Sequence, residues 1–137
     1  MPPGSIGERI CYMNIREFER LVRKYYGYVA DLEGSGVEAF DLLFVRDKIQ
    51  RILDESDPET TVPRSLYEQV FALDRLLWQE QESFLTVVGE RELRLARQQQ
   101  GSRRSQWWWY LDELVAPPEP IQVQQERLVR VFATTSA

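Results

Sequence analysis

Apolar side chains recur at three- and four-residue steps along most of the chain, the spacing that draws a stripe down one face of an α-helix. From Ile15 the series runs through Phe18, Leu21, Val22, Tyr25, Val29 and Leu32, which predicts a first helix from Asn14 to about Glu33. Asn14 stands three residues before Glu17, the spacing of a capping box in which the two side chains satisfy free backbone amides at a helix start. Residues 1–13 open with Met1, Pro2, Pro3 and Gly4 and show no helical periodicity, so they read as a flexible leader. Gly27 costs a helix about 1 kcal/mol relative to alanine, and its place inside the stripe implies a close helix crossing or a bend.

Gly34, Ser35 and Gly36 break the pattern, and Ser35 with Glu38 repeats the capping spacing, so a tight helical hairpin is expected here. The second helix carries Val37, Phe40, Leu43, Phe44, Ile49, Ile52 and Leu53, with Asp47 and Arg51 spaced as a weak surface ion pair. It ends in the acidic stretch from Asp54 to Glu59. A third, longest helix starts at Pro63, whose fixed φ suits a first turn, or at Ser65, which is spaced for capping with Glu68. Leu66, Val70, Leu73, Leu77, Phe84 and Val88 form its stripe; beyond Gly89 either the helix extends past the core to Gln100 or it breaks. A short fourth helix from Arg103 to Val115 presents Trp107, Tyr110, Leu111 and Leu114 on one face, and Pro117, Pro118 and Pro120 stop it. Residues 116–137 read as an extended or partly disordered C-terminal tail. The predicted fold is all-α: a four-helix antiparallel bundle-like domain over residues 14–115, with a long third helix and an irregular tail.

Composition supports one globular domain. At 137 residues with 43% hydrophobic and 28% charged side chains, the chain can bury a core without metal or disulfide support. A single cysteine, Cys11, no secretion-type opening and only short apolar runs such as Leu42 to Val45, far below the roughly 20 residues that span a bilayer, point to a cytoplasmic protein without a transmembrane segment. The net charge of −5 argues mildly against a chain that lives on phosphate backbones.

The strongest chemical statement is negative. The sequence holds no histidine, which removes the commonest general base and the commonest metal ligand. With one cysteine, neither structural zinc patterns nor Cys–His or Ser–His machinery can be assembled from this chain. Glu80 with Glu82 and Asp112 with Glu113 point apart on a helix and read as solvated surface. The acidic stretch from Asp54 lacks the ligand order of a calcium loop. Gly34-Ser35-Gly36 has neither the preceding strand nor the lysine of a phosphate loop, and Cys11 reads as an incidental thiol. No catalytic residue, metal site or cofactor is expected.

Two features remain. Trp107, Trp108 and Trp109 are consecutive, and residues 100° apart on a helix cannot all face one core, so at least one indole is expected to be partly exposed or pinned beneath the C-terminal segment. They form either a cap of indoles on the bundle or an aromatic hot spot for a partner. The second feature is the arginine-rich stretch Arg91, Arg94, Arg97, Arg103 and Arg104 leading into them. Together these eight residues are the candidate partner-binding surface of a non-catalytic adaptor, assembly or regulatory factor. A protein partner is expected, with a second copy of the chain among the candidates; the alternative is nucleic-acid binding through Arg91 to Arg104.

Overall fold

A computed structural model describes residues 3–55, 63–118 and 121, and for residues 3–14 the backbone path alone. Among the described residues there are five α-helices and no strand: α1 (Pro3–Ala30), α2 (Gly36–Glu55), α3 (Arg64–Gln79), α4 (Gln81–Val88) and α5 (Glu90–Gln100), followed by a 3-10 turn at Trp107–Tyr110. No described helix is long and apolar enough to cross a membrane. The predicted tail lies outside the described residues from position 122 onward, as does the acidic stretch after Glu55.

Helix α1 is helical from Pro3, so the expected leader up to residue 13 forms its first turns, and the capping spacing at Asn14 falls inside a helix. Glu17 there accepts hydrogen bonds from the Arg20 guanidinium, at 2.7 and 3.1 Å. Its predicted stripe is the buried face: Phe18, Leu21, Val22, Tyr25 and Val29 are all in the core. Gly27 marks no close crossing, because a Cβ built there meets nothing within 4 Å. At the second predicted cap, Ser35 Oγ accepts a long 3.4 Å bond from the Glu38 amide. At α3, the capping position is occupied by Pro63, with φ −56° and no side-chain cap.

Helices α1 and α2 run antiparallel, since Tyr28 reaches Asp41 while Tyr25, a turn earlier, shares Asp74 with Arg46 farther along α2. The buried face of α2 is rotated from the predicted stripe. Ala39, Leu42, Leu43, Val45, Arg46 and Ile49 face inward, whereas Val37 is 79% exposed and Phe44 lies at the margin of the core. Arg46, a charge, lies among these buried residues.

The long third helix is corrected to three. Leu66, Val70, Leu73, Leu77, Phe84 and Val88 are buried as their spacing predicts, but the path bends at Glu80, φ −96° and ψ 23°, and breaks at Gly89. Gly89 has φ +83° and ψ 123°, a conformation open to glycine and strained for any side chain. Its amide closes α4 onto Leu85 and its carbonyl opens α5 toward Leu93, both at 2.9 Å. Helix α5 ends in a left-handed Gly101, with the Ser102 amide reaching back to the Arg97 carbonyl and Gly101 to Gln98, a glycine-capped stop.

The fourth helix is corrected too. Residues 103–106 form turns, Trp107–Tyr110 a single 3-10 turn, and residues 111–113 a further turn. Tandem α-helical hydrogen bonds are largely absent from this stretch, and side chains of other helices supply what holds it.

Candidate functional site

Polar side chains at the seam of α1, α2 and α3 form the first part of the site. Arg46 and Asp74 are both 3% exposed and pair through two bonds, Nε to Oδ1 at 2.9 Å and Nη2 to Oδ2 at 3.0 Å. The Tyr25 hydroxyl donates to the same Asp74 carboxylate at 2.6 Å, and Arg46 Nη1 donates to Gln50 Oε1 at 3.1 Å. Among the described residues no buried side-chain polar atom lacks a partner, which is the condition for a charge pair to be tolerated in a core. Burial pushes the Tyr25 phenol well above its ordinary range, and the Asp74 charge pushes it further. Burial works against the Arg46 charge, but Asp74 more than offsets it, and the guanidinium stays above its usual value.

Arg46 also carries the next layer. Its guanidinium lies 4.2 Å from the centre of the Trp108 ring, a desolvated cation–π contact. The adjacent Asp47 then acts as a single acceptor for the tryptophan turn: Trp108 Nε1 donates to it at 2.7 Å, Trp109 Nε1 at 2.9 and 3.0 Å, and Gln106 Nε2 at 2.9 Å. Trp107 and Trp108 meet edge to face at 5.7 Å, and Phe44 meets Trp109 the same way at 5.4 Å. Gln81, at the start of α4, donates to the carbonyls of Leu111 and Leu114.

A second clamp comes from α5. Arg97 donates to Asp112 Oδ1 at 2.6 Å, to Glu113 Oε1 at 3.3 Å and to the Trp109 carbonyl at 2.9 Å, and lies 4.5 Å from the Tyr110 ring centre. Desolvation opposes its charge, while the Asp112 hydrogen bond and both carboxylates outweigh it and raise its pKa. Arg104 also lies near Tyr110, 5.3 Å from its ring centre, and approaches Glu113 at 3.5 Å.

The eight predicted binding residues therefore divide. Trp107, Trp108 and Trp109 are all buried, so none of the indoles offers the exposed ring of a surface hot spot. A 3-10 turn packed on α2 and bonded by Arg97 of α5 can bury three consecutive rings, which one face of an α-helix cannot. Arg97 is buried in its clamp. Arg91, Arg94, Arg103 and Arg104 are exposed, and of these only Arg104 forms an ion pair among the described residues. Asp112 does not sit as solvated surface, since its side chain is 7% exposed beneath Arg97. Asp47, expected to pair with Arg51, turns to the indoles.

Between the end of α2, the start of α3 and the Gln100–Trp108 segment lies an open cleft of about 980 Å³. Arg46, Asp74 and Trp108 line it, so the buried network also borders this concave surface. Arg46, Asp74 and Asp47 were the residues that sequence reasoning missed. Arg46 and Asp74 do leave a trace, as each occupies a core-facing position in its helix's apolar register, four residues after Leu42 and Val70. No group of three or more potential metal-ligating side chains gathers among the described residues. Comparison with known proteins adds no relative: no protein-family model, curated protein or solved structure matches the chain.

Proposed function

We propose that the protein is a non-catalytic binding module, an adaptor, assembly or regulatory factor of the cytoplasm, that holds a protein partner on the surface built by the Gln100–Trp108 segment. The observation that carries this reading is the way the segment is held: Asp47 anchors it from beneath through three side chains, while Arg103 stays exposed at the border of the cleft. A surface fixed from below and open above loses little entropy on binding. The Asp74 and Asp47 carboxylates that line the cleft are engaged, Asp74 by Arg46 and Tyr25 and Asp47 by Gln106 and the indoles, so neither is poised as a general base.

The nucleic-acid alternative is less well supported by the charges. Residues 90–113 hold five arginines and four carboxylates, and with Arg97 clamped by Asp112 and Glu113 little net field is left to neutralise phosphates.

The test is affinity capture from native extract, comparing the wild-type chain with Arg103→Glu/Arg104→Glu. The tryptophans are unsuitable for substitution because they belong to the core. A recurrent protein whose recovery falls about tenfold in the variant, with far-UV helicity unchanged, is the expected result. Equal recovery, or no recurrent protein, overturns the reading. A steeply salt-dependent mobility shift of DNA or RNA would favour the alternative.

A further inference from the structure

We propose that copies of this chain associate head to tail, the outer face of α5 in one copy seated in a groove beside the end of α1 in the next. This contact lies apart from the Gln100–Trp108 surface and goes beyond the partner reading. The groove runs between the end of α1, residues 31–33 and the bend where α3 passes into α4, with a volume of about 710 Å³. Its apolar lining includes Leu32, Leu76 and Val87, which pack on the core and stay partly exposed. Its charged lining has one sign: Asp31, Glu33 and Glu80 border it, and no lysine or arginine does. All three acidic residues are exposed. Asp31 and Glu33 form no ion pair among the described residues, and the Glu80 carboxylate accepts a long 3.4 Å bond from the Ser83 hydroxyl.

The complementary surface is on α5, whose buried residues are Leu93 and Arg97. At 100° per residue, Arg91, Arg94, Leu95 and Gln98 fall together on the side away from them, and all four are exposed. Leu95 is 49% exposed, one of five large apolar side chains left in solvent among the described residues. Arg91 and Arg94 form no ion pair among the described residues, and Glu90 and Glu92 stand at the two flanks of the face. In a single copy the groove has carboxylates without a cation, and the α5 face has cations without a carboxylate. One contact answers both: Leu95 meets the apolar lining, and Arg91 and Arg94 meet the acidic border. A nucleic acid would be repelled by the groove and would leave its apolar lining in water. Because the contact joins two different patches it is heterologous, and it passes from copy to copy as a chain or ring, unlike a two-fold dimer.

The test is the weight-average mass of the full chain by analytical ultracentrifugation, over a concentration series from about 10 μM to 1 mM, the range suited to a small contact. The mass should rise with concentration beyond that of two copies. It should fall back when salt is raised from about 50 to 500 mM, because the charges at the contact are exposed and screened. Arg91→Glu/Arg94→Glu and Asp31→Lys/Glu33→Lys should each weaken association about tenfold or more. An equimolar mixture of the two should restore it, since the first variant keeps its groove and the second keeps its α5 face. Arg16→Glu, exposed on α1 far from the groove, should change association less than about twofold. Far-UV circular dichroism checks that each variant is folded.

A mass that stays at one copy or levels at two, association unchanged by either double variant, or a mixture that associates no better than its parts overturns the proposal. Restoration in the mixture is the result that a general effect of altered net charge does not produce.

Discussion

Two parts of the molecule bury aromatic rings by different means. Phe18 and Tyr25 enter the core on α1, a helix whose backbone satisfies its own hydrogen bonds, so that what remains for the neighbours is apolar area and, for the Tyr25 hydroxyl, one acceptor, Asp74. Trp107, Trp108 and Trp109 enter on a stretch with one 3-10 turn and little backbone ladder of its own. Their position is set by acceptors and donors on other elements: Asp47 on α2, Gln81 on α4 and Arg97 on α5. The helical region should therefore fail as a unit, and the tryptophan segment one clamp at a time. This difference also explains how such a segment can border a cleft, since a long helix in its place would have needed an unbroken apolar face.

The largest expected effect tests the helical side. Asp74→Ala leaves the Arg46 guanidinium buried without its carboxylate and removes the acceptor of Tyr25. Removing one partner of a buried pair costs about 3–5 kcal/mol. In urea the whole far-UV transition should move to lower denaturant, with tryptophan emission following it. A cost below about 1 kcal/mol would place the pair among dispensable ion pairs and weaken the distinction drawn between the two regions.

Asp47→Ala tests the other side and should cost on the order of 2–3 kcal/mol, because two indole N–H groups lose a shared acceptor. Here the expected signature is local. Tryptophan emission should shift to longer wavelength at a denaturant concentration where α1–α3 helicity persists, and amides of residues 106–114 should exchange faster than those of α2. Coincident transitions by the two probes would show that the segment and the helices unfold together. Gly89→Ala comes next, at about 1–2 kcal/mol, since alanine at φ +83° is strained. Its Cβ would also meet the Glu92 carboxylate, but that is the far end of a flexible side chain, so strain sets the sign. Thermal denaturation reads this directly.

How far these features could be read beforehand depends on whether their cause is local. The stripes of α1 and of residues 66–88 were legible because burial at three- and four-residue spacing needs only the helix itself and a core to face. Gly89 was legible as one of two outcomes, since glycine permits a break without compelling one. The register of α2 was not, because the predicted stripe takes in Val37 and Phe44 and leaves out Leu42, and the inward place of Arg46 is satisfied only by Asp74, 28 residues away on another helix. Asn14 and Glu17 carry a local start signal that the surrounding helix overrides. Of the two alternatives for the tryptophans only the exposed ring fails, and the cap of indoles agrees with their burial: the 100° step argues for exposure only on an α-helix, and the turn that replaces it is bonded to Asp47, 61 residues from Trp108. Of the candidate surface, the exposed arginines were placed by sequence, whereas the cleft beside them is made by three elements meeting and has no linear signature.

The smallest effect lies at the α1–α2 hairpin, where the Tyr28 hydroxyl donates to Asp41 and Lys24 approaches the same carboxylate at 3.4 Å. The hydrogen bond to Asp41 raises the Tyr28 phenol to about 12, with partial burial adding to it, and the same bond holds Asp41 below its ordinary value. The signs of the two contributions differ. Asp41, depressed in the fold, contributes stability that is present above the unfolded carboxyl value of about 3.9 and is lost as pH falls through its folded one. Tyr28, raised in the fold, contributes stability that is complete below about 10 and is lost as pH rises toward 12. Tyr28→Phe removes both halves. With the Asp41 side chain 41% exposed, the bond should be worth only about 0.5–1 kcal/mol near neutrality. The difference in urea midpoint between wild type and Tyr28→Phe should be flat from about pH 5 to 9 and shrink at both extremes. Tyr25, buried against Asp74, remains in both proteins and contributes equally to their alkaline loss, so the comparison isolates the hairpin from the core. A midpoint difference that persists unchanged at pH 3 would mean that Tyr28 acts through packing, and the hairpin would then join the region held by apolar area.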